Sequence, residues 1–306
     1  MGLNTNATHP VPVQTPALDL TSTKAFLLPN HVQLKMQTHH AETIRNVTAH
    51  FEGNPKVLAL ILGGSIVHGY ALPSSDVDIM IVLADAEYDA LVQAGRSTYH
   101  NSELATYPGG YIDGKFTSIA FLRDVIERGS EPARYGFKDA RILFNRIPGL
   151  TDTELDALMR RAAEYPVAEK MDRLKRFRAQ FAAWHWFATE ARVKGNRFLL
   201  NLAVGKMTLF GIRLILADNE APYPFHKWAL KELERVQDKP EGVVQAIERV
   251  NEDPSEENVE GFFELIKNYK QWEEGMPPDG WQRWGSQFMA DVELTWQTGG
   301  RAVDDL

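Results

Sequence analysis

Two aspartates, Asp76 and Asp78, stand two residues apart in Pro73-Ser74-Ser75-Asp76-Val77-Asp78-Ile79-Met80-Ile81-Val82. Alternate side chains of an extended chain share a face, so both carboxylates point the same way. Two acids held together repel unless a cation lies between them, and burial worsens the repulsion. Mg²⁺ suits that spacing, because it takes few protein oxygens together with waters and substrate phosphates. The apolar flanks exclude a solvated acidic loop. Upstream, Gly63-Gly64-Ser65 closes the apolar run Val57-Leu58-Ala59-Leu60-Ile61-Leu62. Glycine lets backbone come close to a phosphate, and the N–H groups there with the Ser65 hydroxyl can donate to phosphate oxygens. A phosphate cradle facing a metal-binding carboxylate pair meets the needs of phosphoryl or nucleotidyl transfer. That chemistry calls for a third acid, to bind a second metal or deprotonate an attacking hydroxyl. Asp113 is the first choice, with Tyr111 and Lys115 sharing its face in Tyr111-Ile112-Asp113-Gly114-Lys115-Phe116. Asp113-Gly114 alone also reads as a hairpin turn, so Glu103 and Asp139 stand in reserve.

The pattern Gly63-Gly64-Ser65, Gly69, then Pro73-Ser74-Ser75-Asp76-Val77-Asp78, resembles the active-site motif of the DNA polymerase β-type nucleotidyltransferase superfamily. Asp113 resembles that superfamily's separately placed third carboxylate. A helical region behind such a motif is similar to the aminoglycoside nucleotidyltransferases, with a loose echo in Asn219 to Trp228. The resemblance implies that Asp76, Asp78 and Asp113 hold two Mg²⁺ ions, with Asp113 helping to activate an acceptor hydroxyl. It implies a triphosphate on Gly63, Gly64, Ser65 and Ser75, with Lys115, Lys206 and Lys227 as further phosphate candidates. The implied reaction moves a nucleoside monophosphate, AMP from ATP, onto a hydroxyl of a small molecule and releases pyrophosphate. A homodimer completing the cleft is implied on the same ground. Two alternatives stay open: the same chemistry on tRNA or a protein side chain, and a non-catalytic nucleotide-binding regulator.

The elements that must position these groups are legible from hydrophobic period. Residues 1–30, rich in Thr, Pro and Asn, read as a flexible arm. Helical spacing follows from His39 to Phe51, then buried strands at 57–62 and 77–83. A helix is expected at 85–95, a strand at 111–116, a helix at 117–128 and a strand at 141–144. After Pro148-Gly149 the pattern changes to amphipathic helices, roughly 151–164, 167–193, 197–218, 225–238, 241–251 and 255–273. The expectation is an α+β catalytic domain over 31–150, its mixed sheet flanked by helices, and an α-helical bundle over 151–306 that closes on acceptor and nucleotide.

Composition limits the partners. The chain has 306 residues with 33 basic and 41 acidic side chains, a net charge of -8. Both halves are mildly acidic, which argues against affinity built on nucleic-acid phosphates. There is no cysteine, so disulfides, thiolate metal sites and cysteine nucleophiles are excluded. No signal peptide or membrane span is read, and a cytoplasmic protein is expected. The histidines show no zinc spacing, and His68 reads as a neighbour of the site. The basic run Lys170, Arg173, Lys175, Arg176 and Arg178 reads as a solvated face paired with Glu169 and Asp172, with phosphate or RNA contact as the sharper alternative. The aromatics Phe262, Phe263, Tyr269, Trp272, Trp281, Trp284, Phe288 and Trp296 read mostly as helix core.

Overall fold

A computed structural model describes residues 26–27, 33–34, 36–270, 272 and 281–306. Of the arm expected at 1–30, only Phe26 and Leu27 fall among these residues. They form β1 (Phe26–Leu27), paired antiparallel with β2 (Gln33–Leu34).

The first half of the chain is α+β, as its alternating pattern requires. It runs α1 (Thr38–Glu52), β3 (Ala59–Leu62), α2 (Gly64–His68), β4 (Val77–Leu83), α3 (Asp85–Gln93), β5 (Thr98–Asn101), β6 (Ile112–Ser118), α4 (Ile119–Arg128), α5 (Glu131–Tyr135) and β7 (Arg141–Asn145). Five strands form one mixed sheet in the order β5-β6-β4-β3-β7. The central pair, β4 and β6, is parallel, and the other pairings are antiparallel. β3 and β4 are buried because core packs against both faces of the sheet there. Alternation along β4 sorts its side chains. Val77, Ile79, Ile81 and Leu83 pack with Ile44, Val47 and Phe51 of α1. Val82 faces the other way, against Leu122 and Val125 of α4. Asp78 shares that second face, near the start of β4 where α2 packs against the strand.

β5 is the strand that hydrophobic pattern does not announce. Thr-Tyr-His-Asn alternates exposed and half-buried on the sheet edge, so no apolar run marks it. α5 is too short to show a helical period.

Next comes α6 (Asp152–Ala163), started by a capping box in which the Thr151 hydroxyl accepts from the Glu154 N–H and Glu154 reaches back to Thr151. Its Leu155, Met159 and Ala162 are buried in the sheet's second core, with Ile61 and Val82.

The helical region consists of α7 (Lys170–Val193), α8 (Arg197–Asp218), α9 (Ala229–Arg235), α10 (Val243–Glu252), α11 (Glu256–Lys267), α12 (Trp281–Val292) and α13 (Thr295–Thr298). α7 and α8 form a long hairpin around a core that includes Phe177, Phe181, Met207, Phe210 and Phe262. Among the described residues α8 alone is long and apolar enough to cross a membrane, and 61% of its apolar window is buried here as a core helix. The expected helix 225–238 is split. His226–Trp228 form a 3₁₀ turn before α9, after the prolines at 222 and 224. Phe262, Trp272 and Phe288 are buried, as helix core predicts, whereas Trp296 is 79% exposed.

A buried ion cluster joins the two regions. Glu131 of α5 accepts from Arg173 of α7 at 2.8 Å and from the Tyr223 N–H at 3.1 Å, with Arg213 of α8 at 3.5 Å. Glu131, Arg173 and Arg213 are each at most 2% exposed. Arg173 thus corrects the expectation of a solvated face. Its partners are Glu131 and Glu169, and it holds the seam between sheet and bundle. Lys170 pairs with Glu220 and Arg176 with Asp291, so those two cations also serve packing.

Candidate active site

The parallel register of β4 and β6 sets the site. Asp78 and Asp113 are direct partners across that pairing, one on each strand. Asp76 precedes β4 by one residue and lies on the Asp78 side by alternation. Carboxylate oxygens of Asp76, Asp78 and Asp113 all lie within 4.8 Å of one another. The hairpin reading of Asp113-Gly114 fails, because both residues lie inside a seven-residue strand.

The Gly63-Gly64-Ser65 turn serves the same carboxylate. The Gly63 N–H donates to the Asp78 carbonyl at 3.0 Å, which ties the turn to β4. Gly64 adopts φ +67°, in the left-handed region, and a Cβ there would lie 1.7 Å from the Asp78 Oδ2. Only glycine meets both conditions. The Ser65 N–H donates to the Asp78 carboxylate. The Ser65 hydroxyl is buried and has no hydrogen-bond partner among the described residues.

Electrostatics identify Asp78 as the strained member. Burial first, and then the charges of Asp76 and Asp113, push its carboxyl up to about 6, against the pull of Lys227 and the Ser65 N–H. Asp76 acts in turn on the Tyr111 phenol, by its charge and then by a hydrogen bond, and pushes it up. Three acids in this array fit a divalent cation. A bound cation would remove the repulsion that raises Asp78, and clustered carboxylate oxygens are the donors a hard ion takes.

The other expected residues divide. Ser75 closes its own loop, its Oγ accepting from the Leu72 N–H at 2.9 Å. Lys115 is exposed on β6, two residues from Asp113 and on its face. The charge of Lys227, from the turn before α9, reaches Asp78. Lys206 is ion-paired with Asp304 at 2.6 Å. Of the reserves, Glu103 is exposed on the loop after β5, and Asp139 lies 3.3 Å from His68 Nδ1. Neither belongs to the acidic triad.

Residues that no motif marks support the loop entering Asp76. His39 Nε2 donates to the Pro73 carbonyl at 2.8 Å, and His40 Nε2 to the Ser75 carbonyl at 3.1 Å. The Tyr107 hydroxyl donates to the same Ser75 carbonyl, and its ring lies 4.3 Å from that of His39. The adjacent histidines, unsuited to zinc by spacing, fix the loop that delivers Asp76.

Residues 43–120 match the family model of the nucleotidyltransferase domain. The chain carries a nucleotidyltransferase domain of the DNA polymerase β type. The matched span runs from α1 to α4 and holds the whole acidic triad with the Gly-Gly-Ser turn. Among solved structures, a nucleotidyltransferase-like protein from Exiguobacterium sibiricum 255-15 is similar over 85% of this chain and 79% of its own, at 14% identity and a TM-score of 0.39. No curated protein matches the sequence. The nucleotidyltransferase domain identifies the chain as an enzyme that transfers a nucleotidyl group.

Proposed function

We propose that the enzyme transfers a nucleoside monophosphate, AMP from ATP, to a hydroxyl of a small molecule in a Mg²⁺-dependent reaction. The observation that carries this reading is the triad: three carboxylates within 4.8 Å, with Asp78 pushed up to about 6 by burial and by the neighbouring acids. Asp76 and Asp78 would hold the metal, and Asp113 would complete its ligand set or take the acceptor proton. Bound there, Mg²⁺ would draw charge from the phosphates and lower the pKa of a hydroxyl beside it. The acceptor oxygen attacks the α-phosphorus, its proton passes to a carboxylate, and the bond to the β-phosphate breaks to release pyrophosphate. The Ser65 hydroxyl, buried without a partner among the described residues, could donate to a β- or γ-phosphate oxygen. Lys227, whose charge already reaches Asp78, would neutralise the triphosphate from the helical side.

The acidic balance of the chain favours a small acceptor over RNA, and the pairing of Lys170, Arg173 and Arg176 removes much of the basic strip RNA would use. We place the limit of the catalytic part after α6, since that helix shares the sheet's core. A chain without cysteine fits the reducing cytosol.

The test is pyrophosphate release with Mg²⁺ and each of the four NTPs, against pools of aminoglycosides, other hydroxylated metabolites, tRNA and protein. Release that needs one NTP and the aminoglycoside or metabolite pool, and vanishes in Asp76→Asn, supports the reading. Release with tRNA or protein pools alone would replace the small acceptor. Near-normal release by Asp76→Asn would overturn the role of the triad.

A further inference from the structure

Lys227 belongs to the helical region, and Asp78 to the sheet. Something must hold the two together, and the best-connected buried side chain between them is Glu232. It is 1% exposed and five residues beyond Lys227, on α9. Its Oε1 accepts from the Tyr70 hydroxyl at 2.6 Å, the Tyr135 hydroxyl at 2.9 Å and Arg235 at 3.2 Å. Its Oε2 accepts from Lys138 at 2.5 Å. Burial opposes ionisation of Glu232, but the charge of Lys138 and these donated bonds outweigh it and keep the carboxyl below its usual range. Glu232 is therefore a satisfied buried anion, and its donors come mainly from the catalytic region.

The donors are placed where they matter. Tyr70 follows Gly69 at the exit of α2, the helix that presents Gly64 and Ser65 to Asp78. The same turn of chain is gripped twice more. Arg235 donates to the His68 carbonyl at 2.6 Å and lies 4.1 Å over the Tyr70 ring, which also meets Trp228 at 5.0 Å. Trp228 is the neighbour of Lys227. One end of α9 is thus bonded to the exit of α2, while the turn before α9 carries Lys227, its ammonium over the Trp228 ring.

We propose that Glu232 is a positioning residue for the transfer reaction: it locks α9 onto the end of α2 and so sets the place of Lys227, in the turn that opens α9, relative to the Gly64-Ser65 turn proposed to receive the triphosphate. This inference rests on the phosphate role of Lys227 proposed above. Glu232 touches no reacting atom. Its effect passes through the placement of Lys227, and the two residues should act as one unit on phosphate affinity.

The experiment measures Mg²⁺-tripolyphosphate binding by calorimetry for the full chain and for Lys227→Ala, Glu232→Gln and the double variant, with circular dichroism and Tm to confirm folding. Lys227→Ala should weaken binding roughly tenfold or more, the loss expected for one charge-assisted bond. Glu232→Gln keeps the side chain's size and should weaken binding by a comparable factor. The double variant should bind no worse than Lys227→Ala alone, a result that general loosening of the fold would not produce. Should Glu232→Gln fail to fold, Lys138→Met removes one donor to Glu232 from the catalytic side and is read in the same cycle. Independent, multiplying losses, or wild-type affinity in Glu232→Gln beside a weakened Lys227→Ala, would overturn this inference alone. No binding by the wild-type chain would instead overturn the triphosphate reading on which it rests.

Discussion

Replacing Asp78 by asparagine should make the metal-free protein more stable at pH 8, although it removes a group proposed to hold the metal. Burial and the charges of Asp76 and Asp113 push the Asp78 carboxyl from 3.8 up to about 6. A carboxyl whose folded-state pKa lies above its unfolded value keeps an extra proton in the folded state between about pH 4 and pH 6. Stability therefore falls as pH rises through that window, and the penalty is complete above pH 6. A rise of about two units corresponds to about 3 kcal/mol at 1.36 kcal/mol per unit. Relaxation of the neighbouring carboxylates would reduce this to about 1–3 kcal/mol. Asparagine has nearly the same shape, keeps an oxygen to accept the Ser65 N–H, and offers an N–H to the remaining acids. In EDTA, thermal and urea unfolding of Asp78→Asn should exceed wild type at pH 8, and by a clearly smaller margin near pH 4.5. Adding Mg²⁺ should then stabilise wild type and leave the variant nearly unchanged, because ligand stabilises the state that binds it. Equal destabilisation by Asp78→Asn at both pH values would refute the account of a triad held against its own repulsion.

Gly64→Ala should both lower Tm and abolish Mg²⁺-tripolyphosphate binding. The left-handed backbone costs about 1–2 kcal/mol for a non-glycine residue, and the new Cβ, 1.7 Å from Asp78 Oδ2, must displace that carboxylate. Wild-type affinity in a calorimetric titration would contradict this. Ser65→Ala should change stability by no more than about 1 kcal/mol, since the hydroxyl has no partner to lose. The same variant should weaken tripolyphosphate binding about threefold to tenfold if the hydroxyl donates to phosphate. Unchanged affinity would remove Ser65 from the site. Glu131→Ala should destabilise the chain by about 3 kcal/mol in urea unfolding, because it removes the buried carboxylate that Arg173 and Arg213 share, leaving Arg173 with Glu169 and Arg213 with backbone carbonyls. A loss below about 1 kcal/mol would show that the seam does not depend on that carboxylate.

The parts of this protein legible in its sequence are those that neighbours along the chain decide. Asp76 and Asp78 share a face because strand period is two, and the apolar runs at 57–62 and 77–83 announce buried strands because both their faces meet protein. The glycines of the turn were readable as a point of close approach. That the approach is to Asp78 itself, at a distance that admits no Cβ, depends on β3 and β4 lying side by side. Asp113 is the intermediate case. Its residue type and strand were readable, but its position opposite Asp78 comes from a parallel pairing across an intervening helix and edge strand.

What tertiary structure alone decided is which distant charges meet. Arg173 belongs to a run of basic residues that any local reading assigns to solvent, yet it is buried against Glu131, 42 positions away. Glu232 sits among ordinary charges of an amphipathic segment, and its phenolic partners Tyr70 and Tyr135 lie 162 and 97 positions before it. His39 and His40 reach the loop of Asp76 across 34 and 35 positions. A periodic pattern records only which face of an element is buried. The partner that a buried charge finds depends on how whole elements pack, and that is set by the sum of many weak apolar contacts rather than by any spacing along the chain.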